Sequence, residues 1–180
     1  MPDLIGKILA LDEAMDAAGI PHAFGGALAL AWCTERARGT IDIDLNVFVD
    51  ADDAPTVFAA FPNGVVWSDA DVATTARDGQ TRLWWESTPV DLFLNTSEFH
   101  AQAAGRSRRE PFAGREVPFL SCTDLAVFKA FFNRTKDWAD LEDMLAIGAL
   151  DVDRVLGVLV RYLGADDERV ERLRALTIAR

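Results

Sequence analysis

Residues 40–45 read Thr-Ile-Asp-Ile-Asp-Leu, two acids alternating with aliphatics. In an extended strand, residues two apart share a face and lie about 6.6–7 Å apart at Cα. Asp42 and Asp44 therefore point one way while Ile41, Ile43 and Leu45 point the other. The aliphatic side calls for a buried layer beneath it. Carboxylates set this close repel one another unless a cation is present. Hard oxygen donors so placed suit Mg²⁺, and two such ions about 3.5–4 Å apart stabilise the attacking and leaving oxygens of phosphoryl transfer. Taken alone, the two acids equally fit a solvated edge that blocks unwanted strand pairing.

The flanking sequence places this strand among helices. Residues 4–18 carry apolar side chains at Leu4, Ile5, Ile8, Leu9, Leu11 and Met15, and Gly19 stops the helix that this spacing predicts. A short strand over 21–24 enters Gly25-Gly26. A helix follows from 27 to about 37, rich in Ala and Leu, and Arg38-Gly39 breaks it. After the acidic strand over 41–49, Pro55 opens a helix over 56–61. Asn63-Gly64 turns the chain into a strand over 65–67, and residues 69–79 are polar enough to read as loop. Two strands over 82–86 and 89–95 follow, joined by Ser87-Thr88. Asp91 stands on the second as an acid on a strand otherwise built for burial.

From Ser121 the pattern turns helical. Segments 124–132, 135–147, 152–163 and 167–176 each show helical spacing, with Ser121 or Thr123 as a cap and Gly148 and Gly164 as punctuation. The fold class predicted is α/β (α+β): a core over 1–120 and a helical region over 121–180.

Composition narrows the function. A formal charge of −11 argues against a protein that grips long nucleic acid over its whole surface, which draws on Lys and Arg. Arg106, Arg108, Arg109 and Arg115 still form a local basic patch, or else a solvated loop. No run approaches the roughly 18 apolar residues of a membrane span, and the start Met-Pro-Asp-Leu-Ile lacks the regions of a signal peptide; the expectation is a cytoplasmic protein without a membrane partner. Cys33 and Cys122 are too few for a disulfide framework or a closed zinc site and read as small core residues. His22 and His100 have no partner spacing for zinc. Trp84 and Trp85 either stack a base or pack in the core.

The order Gly25-Gly26, then Arg38-Gly39-Thr40-Ile41-Asp42-Ile43-Asp44-Leu45, then Asp91 resembles the nucleotidyltransferase superfamily of the DNA polymerase β type. The resemblance implies a mixed sheet with flanking helices, followed by a C-terminal helical bundle. In that superfamily a Gly-Gly or Gly-Ser pair begins a helix whose N-terminus and amides hold a triphosphate, and three acids hold two Mg²⁺ ions. By resemblance, Asp42, Asp44 and Asp91 are the metal ligands and catalytic acids, and Gly25 and Gly26 bind nucleotide. Thr40 is either a turn residue or a nucleotide contact.

A second block, Asp124-Leu125-Ala126-Val127-Phe128-Lys129 and Arg134-Thr135-Lys136-Asp137-Trp138-Ala139-Asp140-Leu141-Glu142, looks like the lysine motifs of small nucleotidyltransferase-like proteins related to the AbiEii toxins. There the first lysine is expected near the nucleotide phosphates and the acid after the second in the active-site region, here Lys129 and Asp137. The chain has three lysines against fifteen arginines, and two of the three fall in this block. The competing reading makes Lys129 a snorkelling side chain and Lys136 with Asp140 a surface i,i+4 pair.

The activity implied is Mg²⁺-dependent transfer of a nucleoside monophosphate from an NTP to an acceptor hydroxyl. AbiEii-like relatives imply a toxin with a cognate antitoxin, some adding nucleotides to the 3′ end of tRNA, while other members act on proteins or small molecules. The alternative is a non-catalytic module of the same fold that binds nucleotide or a partner, or a regulator held by an antitoxin.

Overall fold

The computed structural model describes residues 2–36 and 39–178; Arg38, part of the predicted helix break, lies outside them. The chain divides into two compact units, residues 1–28 with 38–120 and residues 29–37 with 121–180.

The first unit is built on seven strands: β1 (His22–Phe24), β2 (Ile43–Asp50), β3 (Val65–Val66), β4 (Gln80–Trp85), β5 (Thr88–Asn95), β6 (Arg108–Phe112) and β7 (Arg115–Phe119). They form one sheet in the order β3-β4-β5-β2-β1-β7-β6. The sheet is mixed: β2 runs parallel to β5 and β1 to β7, and the other neighbours are antiparallel. Ile43, Leu45 and Val47 on β2 and Val90, Leu92 and Leu94 on β5 are buried. Paired through the β2–β5 register, they supply the covered face, each large side chain contributing about 1.5–3 kcal/mol.

Four helices flank the sheet: α1 (Leu4–Ala17), α3 (Ala54–Ala60), α4 (Asp69–Asp78) and α5 (Glu98–Ala103). The segment read as loop over 69–79 is α4. Ser68 and Asp71 form a reciprocal capping box at its start, and Gly79 closes it in the left-handed region, so local capping rather than an apolar stripe makes it helical. The basic segment is likewise no loop but the β6–β7 hairpin, turned at Ala113 and Gly114 with positive φ.

Helix α2 (Gly26–Thr34) starts in the first unit and runs into the second. It ends at Thr34, with Glu35 at φ +53°, earlier than its composition suggests. The second unit continues with α6 (Cys122–Phe132), α7 (Thr135–Ala146), α8 (Val152–Leu163) and α9 (Glu168–Ile178). Ser121 and Asp151 cap α6 and α8 by accepting bonds from Asp124 N and Arg154 N. Leu125, Trp138, Leu141, Met144, Val155, Leu159, Val170 and Leu173 are buried. Cys33 and Cys122 are buried too, yet they are joined in a disulfide across 89 residues, tying α2 to α6. No described helix is long and apolar enough to cross a membrane.

Candidate active site

The parallel pairing of β2 with β5 sets Asp44 beside Asp91. Neighbouring residues in a ladder share a face, so Asp44 and Asp91 lie side by side on two central strands, and Asp42 stands two residues before Asp44, just ahead of β2. All three side chains are partly exposed. Asp42 precedes the first residue of β2 and follows a bend, and Ile41 is 79% exposed rather than buried. The Thr40 hydroxyl lies 2.6 Å from Asp42 Oδ1, and Asp42 N donates back to it at 3.3 Å. Thr40 thus acts as a local clamp that aims the Asp42 carboxylate.

The glycine pair meets the same acids. Gly25 N donates to Asp44 O at 2.9 Å, and a Cβ at Gly25 would come within 2.8 Å of the Asn46 amide. Gly26, at φ +53°, is the first residue of α2, and a Cβ there would collide with the Asp44 carboxylate. Both positions need glycine: a Cβ at Gly25 would crowd Asn46 and Leu120, and one at Gly26 the Asp44 carboxylate. The start of α2 consequently stands beside Asp44, where its amide dipoles favour negative charge.

The cluster accepts a cation. Arg82 on β4 forms a bidentate pair with Asp91 at 2.6 and 2.7 Å, and its guanidinium is held above the usual arginine value by that hydrogen bonding and charge, with smaller contributions from Asp42 and Asp44, against a desolvation that lowers it. Three carboxylates acting on one cation are a donor set that fits Mg²⁺.

The fold has counterparts among solved structures. The chain is similar to the antibiotic-resistance factor ANT(2″)-Ia in solution (TM-score 0.57, 18% identity, 97% of this chain and 91% of that one). It is similar to ANT(2″)-Ia in complex with adenylyl-2″-tobramycin (TM-score 0.56, 19% identity, 97% of both chains). An antigenic nucleotidyltransferase-like protein from Paracoccidioides brasiliensis also matches (TM-score 0.55, 13% identity, 96% and 87%). The fold is that of the nucleotidyltransferases. No family model matches the sequence, and no curated protein matches it. Within the nucleotidyltransferase fold, the likeness therefore rests on structure, and the AbiEii relationship has no independent support.

The remaining predicted residues belong to the second unit. Lys129 is buried, with Nζ 2.7 Å from Asp140 Oδ2 and 3.7 Å from Asp137 Oδ1. Asp137 is fully buried and also accepts from Arg134 Nε and Nη2 at 2.6 and 3.1 Å. Asp140 is thus drawn to Lys129 in the interior, while Lys136 is exposed.

Two other groups differ from expectation. Arg108 pairs with Glu110, Arg109 with Asp16 and the Glu116 carbonyl, and Arg115 with Asp12 and Glu13. Arg106 lies over the Phe99 ring. The basic patch is largely neutralised by the chain's own acids. His22, given no partner by spacing, lies beside Asp12 and Asp16, their ligand atoms within 4.8 Å of one another. His22 Nδ1 faces the Ile20 carbonyl and Nε2 faces Asp12 Oδ1, both at 3.1 Å, so both ring nitrogens are engaged. This cluster is separate from the strand acids, since His22 pairs with Val47, three residues along β2 from Asp44. Trp84 is exposed and Trp85 buried, which divides the tryptophan pair between surface and core.

Proposed function

We propose that this chain is a Mg²⁺-dependent nucleotidyltransferase that moves a nucleoside monophosphate from an NTP to an acceptor hydroxyl. The observation that carries the reading is the in-register placement of Asp44 beside Asp91, with Asp42 two residues upstream and Gly26 against the Asp44 carboxylate. Asp42, Asp44 and Asp91 hold the metal, with Thr40 orienting Asp42. When bound, Mg²⁺ supplies charge stabilisation for the attacking and leaving oxygens. Gly25-Gly26 seats the triphosphate at the start of α2. Asp91 takes the proton of the acceptor hydroxyl as its oxygen bonds to the α-phosphorus and the bond to pyrophosphate breaks. Lys129 and Asp137 belong to the same proposal by motif resemblance; their mutual pairing in the second unit equally supports a structural role.

For the acceptor, the self-neutralised arginines of the β6–β7 hairpin and the net charge of −11 support a small cationic molecule over RNA. Such a molecule matches the chemistry of the adenylyl-2″-tobramycin held by ANT(2″)-Ia. A toxin that extends tRNA, checked by an antitoxin, is the competing reading. Incubation with each labelled NTP, Mg²⁺ and a total cell extract separates them: label in small basic molecules supports the first, label in RNA the second. Asp44→Asn abolishes pyrophosphate release with the fold intact, and full activity in that variant rejects the site. Binding of Mg²⁺-nucleotide with no pyrophosphate release from any acceptor pool leaves the non-catalytic module.

A further inference from the structure

Arg82, paired with Asp91, has no part in the chemistry proposed above. It stands opposite Asp91 in the antiparallel β4–β5 ladder, so the two side chains share a face. Its two nitrogens occupy one lone-pair direction on each Asp91 oxygen, which are the donors a metal needs. The pair is asymmetric: the arginine side chain is 53% exposed, the aspartate side chain 16%. Asp91 is fixed by its central strand, whereas the guanidinium reaches in from water and can leave again. A guanidinium released from Asp91 remains tethered to β4 within one side-chain length of the trio. The anion brought there with a divalent cation is the nucleotide's triphosphate, which an arginine fork recognises well.

We infer that Arg82 is an exchangeable counter-ion: it holds Asp91 while the site is metal-free, competes with divalent cations for that carboxylate, and turns to the nucleotide phosphates once a cation takes Asp91. This rests on the nucleotidyltransferase reading above. It demands two changes of opposite sign on removing the charge. Free metal should bind better, because its competitor is gone, and metal-nucleotide should bind worse, because a phosphate ligand is gone. A purely structural Arg82 produces no such opposition.

The test uses the full chain as wild type, Arg82→Gln, Arg82→Lys and Asp44→Asn, each checked for folding by its melting curve. Mn²⁺ binding is read from the paramagnetic resonance of free Mn²⁺. Nucleotide binding is read by calorimetry with the α,β-methylene analogue of each of the four nucleoside triphosphates in turn and saturating Mn²⁺. Arg82→Gln should bind free Mn²⁺ about fivefold tighter, the scale of an exposed ion pair, and the preferred analogue about tenfold or more weakly, the scale of a charged hydrogen bond. Arg82→Lys, which keeps the charge but loses the fork, should fall between. Unchanged or weaker Mn²⁺ affinity in Arg82→Gln, or unchanged analogue affinity, overturns the inference while Asp44→Asn still loses metal and the site stands. Wild type binding Mn²⁺ no better than Asp44→Asn sinks the metal site itself, and the inference with it.

Discussion

Replacing Lys129 by methionine discriminates between the two roles open to that residue. Lys129 is 7% exposed, and its Nζ is 2.7 Å from Asp140 and 3.7 Å from Asp137. Methionine fills the stem but removes the charge, and the two carboxylates are not equally affected. Asp137 retains two bonds from Arg134, whereas buried Asp140 loses its 2.7 Å bond to Lys129. Breaking one side of a buried pair costs about 3–5 kcal/mol; the surviving Arg134 bonds place Lys129→Met at the lower end, about 3 kcal/mol. For a chain of this length that lowers the melting temperature by roughly 6–12 °C. Urea unfolding of wild type, Lys129→Met, Asp140→Asn and the double variant measures the coupling directly. A coupling of about 2 kcal/mol or more makes the lysine a core ion pair whatever else it does. A loss below about 0.5 kcal/mol, with nucleotide affinity reduced instead, rules out the core ion pair and makes Lys129 a phosphate ligand.

Other perturbations address separate parts of the structure. Gly26→Ala, at φ +53° with its Cβ against the Asp44 carboxylate, should destabilise by about 1–2 kcal/mol and weaken Mn²⁺ binding at least tenfold; Gly105→Ala, whose Cβ meets nothing within 4 Å, is the control, and equal behaviour of the two contradicts the close approach. Burial pushes His100 down to about 4 against a raising bond from the Leu94 backbone. The unfolded chain takes up that proton near pH 6.5 and the folded one only near 4. Stability that is full above pH 6.5 therefore falls as pH drops towards 4, by about 3 kcal/mol from this residue. His100→Asn, neutral throughout, should lose that much less between pH 6.5 and 4 in denaturant titrations, and identical profiles reject the assignment.

The acidic strand was legible because alternation is a local property: Ile43, Leu45 and Asp44 fall where period two puts them. The four C-terminal helices carry their spacing and caps in the sequence in the same way. Helix α4 was harder to read, since Thr75 is its sole buried residue and no apolar stripe marks it, although Ser68 and Asp71 were a readable capping signal. The β6–β7 hairpin hid behind its arginines, whose acidic partners Asp12, Glu13 and Asp16 lie on α1, about a hundred residues away. Long-range partners left no trace in spacing. Cys33 meets Cys122, and Lys129 meets Asp140 across a helix junction, through packing alone. Arg82 belongs to the acid trio because the β4–β5 register sets it opposite Asp91, and a one-residue slip would send it to the other face.

The proposed chemistry requires that Asp42, Asp44 and Asp91 together hold divalent cations. Crystals of the chain soaked with Mn²⁺ and an α,β-methylene nucleotide, measured at a wavelength where manganese scatters anomalously, test it most directly. Anomalous peaks are expected at about 2.0–2.3 Å from oxygens of all three carboxylates, with Arg82 withdrawn from Asp91. Peaks confined to Asp12, Asp16 and His22, or no peak at the strand acids in crystals that hold the nucleotide, would contradict it.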